Sequence, residues 1–282
     1  MLKVRMFRFA AVAGVAIATG FAALGSACAI ELLGIRAEGQ RYRVVTVNTD
    51  SPQLVRDLGF LPARADERLL SLALLPDDSL AMLFSVTGSV TDSRSRVLEL
   101  TRSASGLAGN PLATSLPDAD DAIVQLVPME TGRYIGLVSE FRDVPPYLLG
   151  EFTIEAGKVA LASFKSLPEE ARYANLTHCP NDKIYATSMS NEGATELVEV
   201  NLKENTIATV QLLAYNGVGL NRDVNSLVCA PDGTLYALAD PAKVGVNSLF
   251  RIDSNEADLI GLGRLDVDRI VLPGLGRGVL GQ

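Results

Sequence analysis

A repeat of about 50 residues constrains the fold of this chain more than any other feature. Four apolar segments each end at a proline, and the four prolines lie 52, 52 and 51 residues apart: Pro76, Pro128, Pro180 and Pro231. Asp, Asn or Gly follows three of them. Proline fixes the φ angle while these residues accept a tight bend. Each segment therefore predicts an apolar strand that turns into a second apolar strand.

A second pattern lies between these hairpins. Short segments alternate between apolar and polar residues, which places one face of a strand in the core and the other in solvent. Their central residues are Val47, Leu100, Phe152, Val200 and Ile252. Each unit thus holds two hairpins, and four strands at this period are typical of β-propeller blades. A β-sandwich would not need so regular a period, and a β-solenoid usually has shorter rungs.

The two ends of the chain predict how the repeat closes. The outer pattern around Val47 has no inner hairpin before it, and the inner pattern that begins at Asp268 has no outer hairpin after it. We therefore expect an all-β fold, a five-bladed β-propeller closed by pairing N-terminal outer strands with C-terminal inner strands. Such closure removes free sheet edges. On this interpretation trimming residues 30–39 would matter little, whereas deletion from Asp268 onward would unfold the protein.

Two segments carry a resemblance to known proteins. Residues 231–238 (PDGTLYAL) and residues 249–253 (LFRID) resemble the blades of exported bacterial propellers in the broad NHL, YncE-like and lactonase-like group. As an architecture, the resemblance covers most of the chain after residue 29. It implies the fold and is almost silent about activity, because one fold hosts many functions.

The first 29 residues predict export. Lys3, Arg5 and Arg8 precede an apolar run, and Ala27-Cys28-Ala29 fits the A-x-A cleavage rule. We expect residues 1–29 to be a signal peptide and residues 30–282 to form a periplasmic or extracellular propeller domain without a membrane span. Two alternatives stay open. One is a membrane-anchored lipoprotein lipidated at Cys28, and the other is an uncleaved anchor, since the apolar run is near the length needed to span.

Net charge narrows the class of partner. The chain has 25 basic and 33 acidic residues, and three of the basic ones lie in the signal peptide, so the mature net charge is −11. An acidic chain disfavours nucleic acid and anionic membrane surfaces as partners. We expect a small ligand, a cation or a basic protein partner instead.

The loops that lead into the predicted inner strands are acidic and would meet at one end of an axial channel. Carboxylates that converge there could hold Ca²⁺, which takes oxygen ligands. The alternative is a solvated rim of local arginine–carboxylate pairs, because an arginine lies within a few residues in four of the five loops. The candidate ligand-binding residues are Asp121, Asn175, His178, Asp223, Asn225 and Asp268.

Signals for catalysis are weak. Asn225 with the Pro-Asp-Gly turn that follows is similar to the metal-holding segment of gluconolactonase-group propellers, but Ser226 stands where that group usually has Gly. His178 is the only histidine, which removes the common zinc catalytic sets. It is expected to be a packed or channel-lining residue. We assign no catalytic residue.

These observations favour a non-enzymatic exported propeller, a binding or scaffold protein that uses its acidic rim or axial channel. One rival is a metal-assisted lactonase-like hydrolase or a glycosidase. The absence of Trp and the low aromatic content, 6%, weaken the glycosidase interpretation because sugar sites depend on aromatic platforms. A second rival is a purely structural component of the cell envelope.

Two cysteines lie outside the signal peptide, Cys179 and Cys229, in equivalent segments of neighbouring repeats. An exported location permits a disulfide between them. The alternative is a pair of buried free thiols, since cysteine is among the most buried residue types.

Overall fold

The computed structural model describes residues 29–75, 79–86, 95–103, 106–116, 121–129, 133–139, 147–168, 171–190, 193–204, 206–253 and 256–273. The predicted signal peptide up to Cys28 and the residues after Pro273 lie outside this set. Nearly all regular structure within the set is β-strand, and its one helical element is a short 3₁₀ turn, Pro180–Asp182. The all-β prediction is confirmed.

The strands follow one another in groups along the chain. The first group is β1 (Glu31–Glu38), β2 (Arg41–Asn48) and β3 (Val55–Pro62). The second is β4 (Glu67–Leu74), β5 (Leu80–Val86), β6 (Ser95–Ser103) and β7 (Gly106–Ser115). The third is β8 (Ala122–Pro128), β9 (Tyr134–Ser139), β10 (Tyr147–Glu155) and β11 (Lys158–Ser166). The fourth is β12 (Ala171–His178), β13 (Ile184–Ser190), β14 (Thr195–Asn201) and β15 (Thr206–Leu212).

The remaining strands complete the chain. A short ribbon contains β16 (Ala214–Tyr215) and β17 (Val218–Gly219). It is followed by β18 (Ser226–Cys229), β19 (Leu235–Ala239), β20 (Ser248–Ile252) and β21 (Leu259–Arg264), and then by β22 (Arg269–Val271). Within each group, consecutive strands pair antiparallel, as short hairpin connections require.

Turn residues explain where several hairpins bend. Ala156 and Gly157, between β10 and β11, have φ angles of 49° and 75°. Asn216 and Gly217, between β16 and β17, have φ angles of 53° and 72°. Two consecutive positive φ angles are typical of the type I′ turn, whose twist matches that of the flanking strands. The turn conformation therefore sets the register of both hairpins.

The two ends of the chain meet in one sheet with the strand order β22-β1-β2-β3. The predicted pairing of the C-terminal segment with the N-terminal segment is present, but the number of strands that each end supplies differs from the prediction. Among the described residues the C-terminal end supplies one strand and the N-terminal end supplies three. Leu32, Leu33 and Ile35 of β1 are buried. The expectation that residues 30–39 could be trimmed harmlessly is therefore wrong, because β1 lies between two other strands.

The inner strands, defined as β4, β8, β12, β18 and β22, pack against one another in sequence, and β22 also packs against β4. Side chains link them to the backbone of the next inner strand. The Gln125 amide donates to the Leu176 carbonyl and accepts from the Leu176 N–H, at 2.7 and 2.6 Å. The Thr177 hydroxyl accepts from the Cys229 N–H at 3.0 Å. Sheets arranged in this way around a central cavity form a β-propeller architecture.

Two more bonds continue the series on the other side of the cavity. The Ser226 hydroxyl accepts from the Ile270 N–H at 3.1 Å, and Arg269 Nε donates to the Leu70 carbonyl at 2.6 Å. A disulfide between Cys179 and Cys229, with the Cα atoms 5.3 Å apart, also joins the ends of β12 and β18. Polar side chains on the inner strands thus hold neighbouring sheets together where backbone pairing is absent.

Apolar side chains fill the spaces between the sheets. In the cluster that joins the first sheet to the second, Tyr42 packs against Phe84 with the ring centroids 5.4 Å apart. Tyr42 is 4% exposed. Burial, together with the nearby Glu67 carboxylate, raises the pKa of Tyr42 from 10.0 to about 12.

This pKa predicts a loss of stability at alkaline pH. Above pH 10 the unfolded chain releases the Tyr42 proton, whereas the folded chain keeps it until about pH 12. The free energy of unfolding should therefore fall by about 1.4 kcal/mol per pH unit in this window from Tyr42 alone. Urea unfolding of the wild type and of Tyr42→Phe between pH 9 and 11.5 measures it. Parallel pH profiles for the two proteins would contradict the prediction.

Candidate functional site

A cavity of about 770 Å³ lies among the inner strands. The side chains that line it come from all five inner strands and from the segments that lead into β18 and β20. Ligand sites usually have volumes of about 300–1,000 Å³ and lie where structural units converge. This axial cavity is therefore the candidate binding site of the protein.

The predicted site residues divide into two sets. Asn175, His178, Asp223 and Asn225 line the axial cavity. Asp121 and Asp268 do not. Asp121 is buried immediately before β8, with 4% of its surface exposed. Asp268 accepts a hydrogen bond from the Ala37 N–H at 2.7 Å and so faces β1.

Asn175 occupies a bulge in β12 and has a φ angle of 56°. Its side-chain amide donates to the Val224 carbonyl at 2.8 Å and lies 3.3 Å from the Asp223 carboxylate. The buried Thr187 hydroxyl donates to the same carboxylate oxygen at 2.8 Å. Asparagine is one of the few side chains that tolerate this backbone conformation. The Asn175 amide thus fixes the loop that enters β18 to the neighbouring sheet.

Asn225 belongs to a second chain of amides. Its Nδ2 donates to Asn247 Oδ1 at 2.7 Å, and Asn247 Nδ2 donates to the Val267 carbonyl at 2.7 Å. Both asparagines line the axial cavity. This chain connects the entrance of β18 to the segment before β22, and it gives Asn225 a structural role in the cavity wall.

In the cavity wall, the Ser71 Oγ and His178 Nε2 atoms are buried and have no hydrogen-bond partner within the described part of the chain. The His178 side chain is 11% exposed, and its Nε2 lies 3.6 Å from Asp182 Oδ1. A buried polar atom without a partner costs about 1–3 kcal/mol. Such atoms are places where a bound molecule could supply the missing partner.

The sequence analysis expected the arginines of this site only as partners of rim carboxylates and did not include them among the candidate ligand-binding residues. Arg68, Arg172, Arg222 and Arg269 all line the axial cavity, near the points where four inner strands begin. Asp223 and Asp240 are the carboxylates among the described lining residues. The signal was present, since each arginine follows or lies within a loop that the sequence analysis described as acidic. Residues 117–120 and 169–170 of these loops lie outside the described residues.

The carboxylates of the lining are held by donors of the protein itself. Asp223 accepts from Thr187 and Asn175, as described above. The Asp240 carboxylate accepts from the Val244 and Gly245 N–H groups at 3.0 and 2.8 Å. No group of three or more His, Cys, Asp or Glu side chains in the described ranges could hold a metal ion. The Ca²⁺ site expected from the sequence stays a hypothesis.

The residues that the structure describes contain no helix long and apolar enough to cross a membrane.

Similarity of this chain to known proteins is found among solved structures. No protein-family model matches it, and no curated protein matches it. It is similar to the solved structure of a protein of unknown function from Bacteroides caccae, with 14% identity and a TM-score of 0.48 over 86% of this chain and 98% of that one. It is also similar to TolB from Acinetobacter baumannii, with 13% identity and a TM-score of 0.49 over 86% of this chain and 65% of TolB.

An engineered GH43 glycoside hydrolase is a further similar structure, with 10% identity and a TM-score of 0.49 over 81% of this chain and 51% of that one. The TM-scores of all three lie below 0.5. The class of protein is defined by the fold and the cavity: a β-propeller with a polar axial cavity.

Proposed function

We propose that this protein is a non-enzymatic, exported β-propeller that binds a small polar ligand in its axial cavity. The observation that carries the proposal is the cavity of about 770 Å³ whose wall contains the buried atoms Ser71 Oγ and His178 Nε2, which have no hydrogen-bond partner among the described residues. Protein interiors pair nearly all buried polar groups. A ligand that hydrogen-bonds to these atoms would remove the cost of leaving them unpaired.

The proposal includes five blades. One sheet contains eight strands, but it is two antiparallel four-stranded units joined where β7 pairs parallel with β11 over three residue pairs. The β16–β17 ribbon has two residues in each strand and is too small to form a blade. Counting the eight-stranded sheet as two blades and the ribbon as an insertion leaves five four-stranded units.

Export is part of the proposal and rests on the sequence of residues 1–29. The basic start, the apolar run and the A-x-A site are the features of a signal peptide. The disulfide between Cys179 and Cys229 supports an oxidising location, since such bonds are rare in the cytosol.

A ligand screen on a cavity-filling variant tests the binding function. Ala174 lines the axial cavity, and Ala174→Phe should occupy part of it. A thermal-shift screen of organic acids, sugars, amino acids and divalent cations should find a compound that raises the melting temperature of the wild type. At a ligand concentration of 100 Kd the gain is about 2.7 kcal/mol, roughly 5–10 °C for a protein of this size. The shift should disappear in Ala174→Phe.

Ala162→Phe is the matched control, because Ala162 is exposed on β11 and does not line the cavity. It should keep the full shift. Equal shifts in both variants would show that the ligand binds elsewhere, and turnover of the bound compound would show that the protein is an enzyme. Circular dichroism checks that both variants are folded.

A further inference from the structure

The hydrogen-bond partners of Asn225 show which end of its side-chain amide is unused. Asn247 Nδ2 donates to the Val267 carbonyl at 2.7 Å, and a carbonyl oxygen can only accept. The Asn247 amide therefore presents its Oδ1 to Asn225, which donates from Nδ2 at 2.7 Å. Asn225 Oδ1 receives no hydrogen bond from the described residues. Because Asn225 is half-buried and lines the axial cavity, this oxygen is an acceptor for a bound molecule.

The Asn175 amide is oriented in the same way. Its Nδ2 donates to the Val224 carbonyl at 2.8 Å and to the Thr187 hydroxyl at 3.0 Å. The Asn175 Oδ1 receives no hydrogen bond from the part of the chain that the structure describes. Asn175 is half-buried and lines the axial cavity as well. The wall therefore contains two amide oxygens whose orientation is fixed by neighbouring groups and which lack a donor.

Ser71 adds a third unused polar group. It lines the axial cavity, 8% of its surface is exposed, and its hydroxyl has no hydrogen-bond partner among the residues that the structure describes. Ser71 lies in β4, whereas Asn175 lies in β12 and Asn225 directly precedes β18. In the packing order of the inner strands, β8 separates β4 from β12, and β22 separates β4 from β18. The three groups therefore lie on different sides of the axial cavity.

The charged side chains of the lining have partners within the protein. Arg222 donates to the Asp240 carbonyl at 3.1 Å and lies 3.9 Å from its carboxylate, which also accepts two main-chain hydrogen bonds. The Asp223 carboxylate accepts from the Thr187 hydroxyl at 2.8 Å. The other lining arginines also interact with groups of the protein: Arg68, Arg172 and Arg269. A charged ligand would compete with these contacts, whereas a neutral ligand can use the unpaired polar groups.

On the basis of the proposed binding function, we infer that the ligand of the axial cavity is a neutral polyol with an open carbon chain. Each hydroxyl of a polyol donates one hydrogen bond and accepts up to two. It can therefore donate to the Asn175 and Asn225 oxygens, and it can donate to the Ser71 hydroxyl or accept from it. Hydroxyls on successive carbons let one small molecule reach groups on different sides of the cavity, which a single amide or alcohol group does not.

The lining favours an open chain over a sugar ring. Among the described residues, no Phe, Tyr or Trp lines the axial cavity. The cavity wall therefore offers no flat aromatic face on which a sugar ring could stack. An open polyol chain has no such flat face to cover, and its binding depends on hydrogen bonds alone.

Calorimetric titration with four compounds of the same six-carbon skeleton tests the inference. Sorbitol is the neutral open chain, gluconate carries a carboxylate at one end, glucamine carries an ammonium group there, and glucose is the ring. Sorbitol should bind, and each of the other three should bind about tenfold more weakly or worse. Heat of binding is measured, rather than a thermal shift, because polyols raise melting temperatures without binding by being excluded from protein surfaces.

A single hydroxyl deletion tests the contact with the cavity wall. Ser71→Ala should weaken sorbitol binding about three- to tenfold, the effect expected for one hydrogen bond between neutral groups. The same change removes an unpartnered buried hydroxyl, so it should raise the melting temperature of the ligand-free protein by about 2 °C or more. A general packing defect would lower both the melting temperature and the affinity.

Ser163→Ala is the matched control, because Ser163 is exposed on β11 and does not line the cavity. It should bind sorbitol as the wild type does. Equal sorbitol binding by the wild type and Ser71→Ala would overturn the inference. Tighter binding of gluconate, glucamine or glucose than of sorbitol, abolished by Ala174→Phe, would overturn the inference and leave the binding function intact. Failure of every class of compound to bind in the cavity would overturn both.

Discussion

A chain that lacks Glu31–Glu38 should not fold. These residues form β1, which pairs with β2 along its whole length and with β22 on its other side. Its removal uncovers Leu32, Leu33 and Ile35, which are 0–2% exposed. Each such side chain contributes about 1.5–3 kcal/mol, and their sum rivals a total stability of about 5–15 kcal/mol. Circular dichroism and size-exclusion chromatography of the purified variant measure the result.

Single alanine substitutions measure the contribution of β1 to stability when the deletion variant yields no soluble protein. Leu33→Ala should lower the free energy of unfolding by about 2–5 kcal/mol, as large-to-small changes in a core do. Leu54→Ala, at a position 70% exposed, should change it by about 0.5 kcal/mol or less. A deletion variant that melts within a few degrees of the wild type, or equal effects of the two alanine variants, would mean that β1 is not part of the core.

The repeat in the sequence predicted the inner strands because proline and the turn residues after it act locally. Strands end before Pro180 and before Pro231, and at Pro128, where the period placed them. The role of residues 30–39 was missed because β1 directly follows the predicted cleavage site and contains Gly34. A Cβ at Gly34 would lie 3.1 Å from Val267 and from Val45, so this glycine marks a close approach of three segments. No local pattern shows such a contact.

The candidate site was predicted in part for a similar reason. Asn175 and Asn225, which the sequence puts at the start of or within inner strands, line the axial cavity, because strand position is a periodic property. Which neighbouring side chain enters the cavity depends on bulges, for example the one between Leu69 and Ser71. Bulges change the face on which the following residues lie. The acidic loops therefore led to a prediction of carboxylates in the site, whereas the described lining contains more arginines than carboxylates.

Loss of the Cys179–Cys229 disulfide should destabilise the protein by about 4 kcal/mol, the chain-entropy value for a loop of this size. The two cysteines are 50 residues apart and connect the ends of two inner strands in different sheets. The crosslink restricts the conformations that the unfolded chain can adopt. Its removal therefore increases the entropy of the unfolded state. Urea unfolding of Cys179→Ser/Cys229→Ser against the wild type measures the difference.

Reductant provides the internal control for this prediction. Dithiothreitol should lower the urea midpoint of the wild type to that of the double variant and leave the double variant unchanged. A wild-type midpoint that does not move after reduction, with free thiols verified by mass spectrometry, would show that the bond contributes nothing to stability. In that case the side-chain hydrogen bonds between inner strands, such as Thr177 to the Cys229 N–H, hold β12 and β18 together without it.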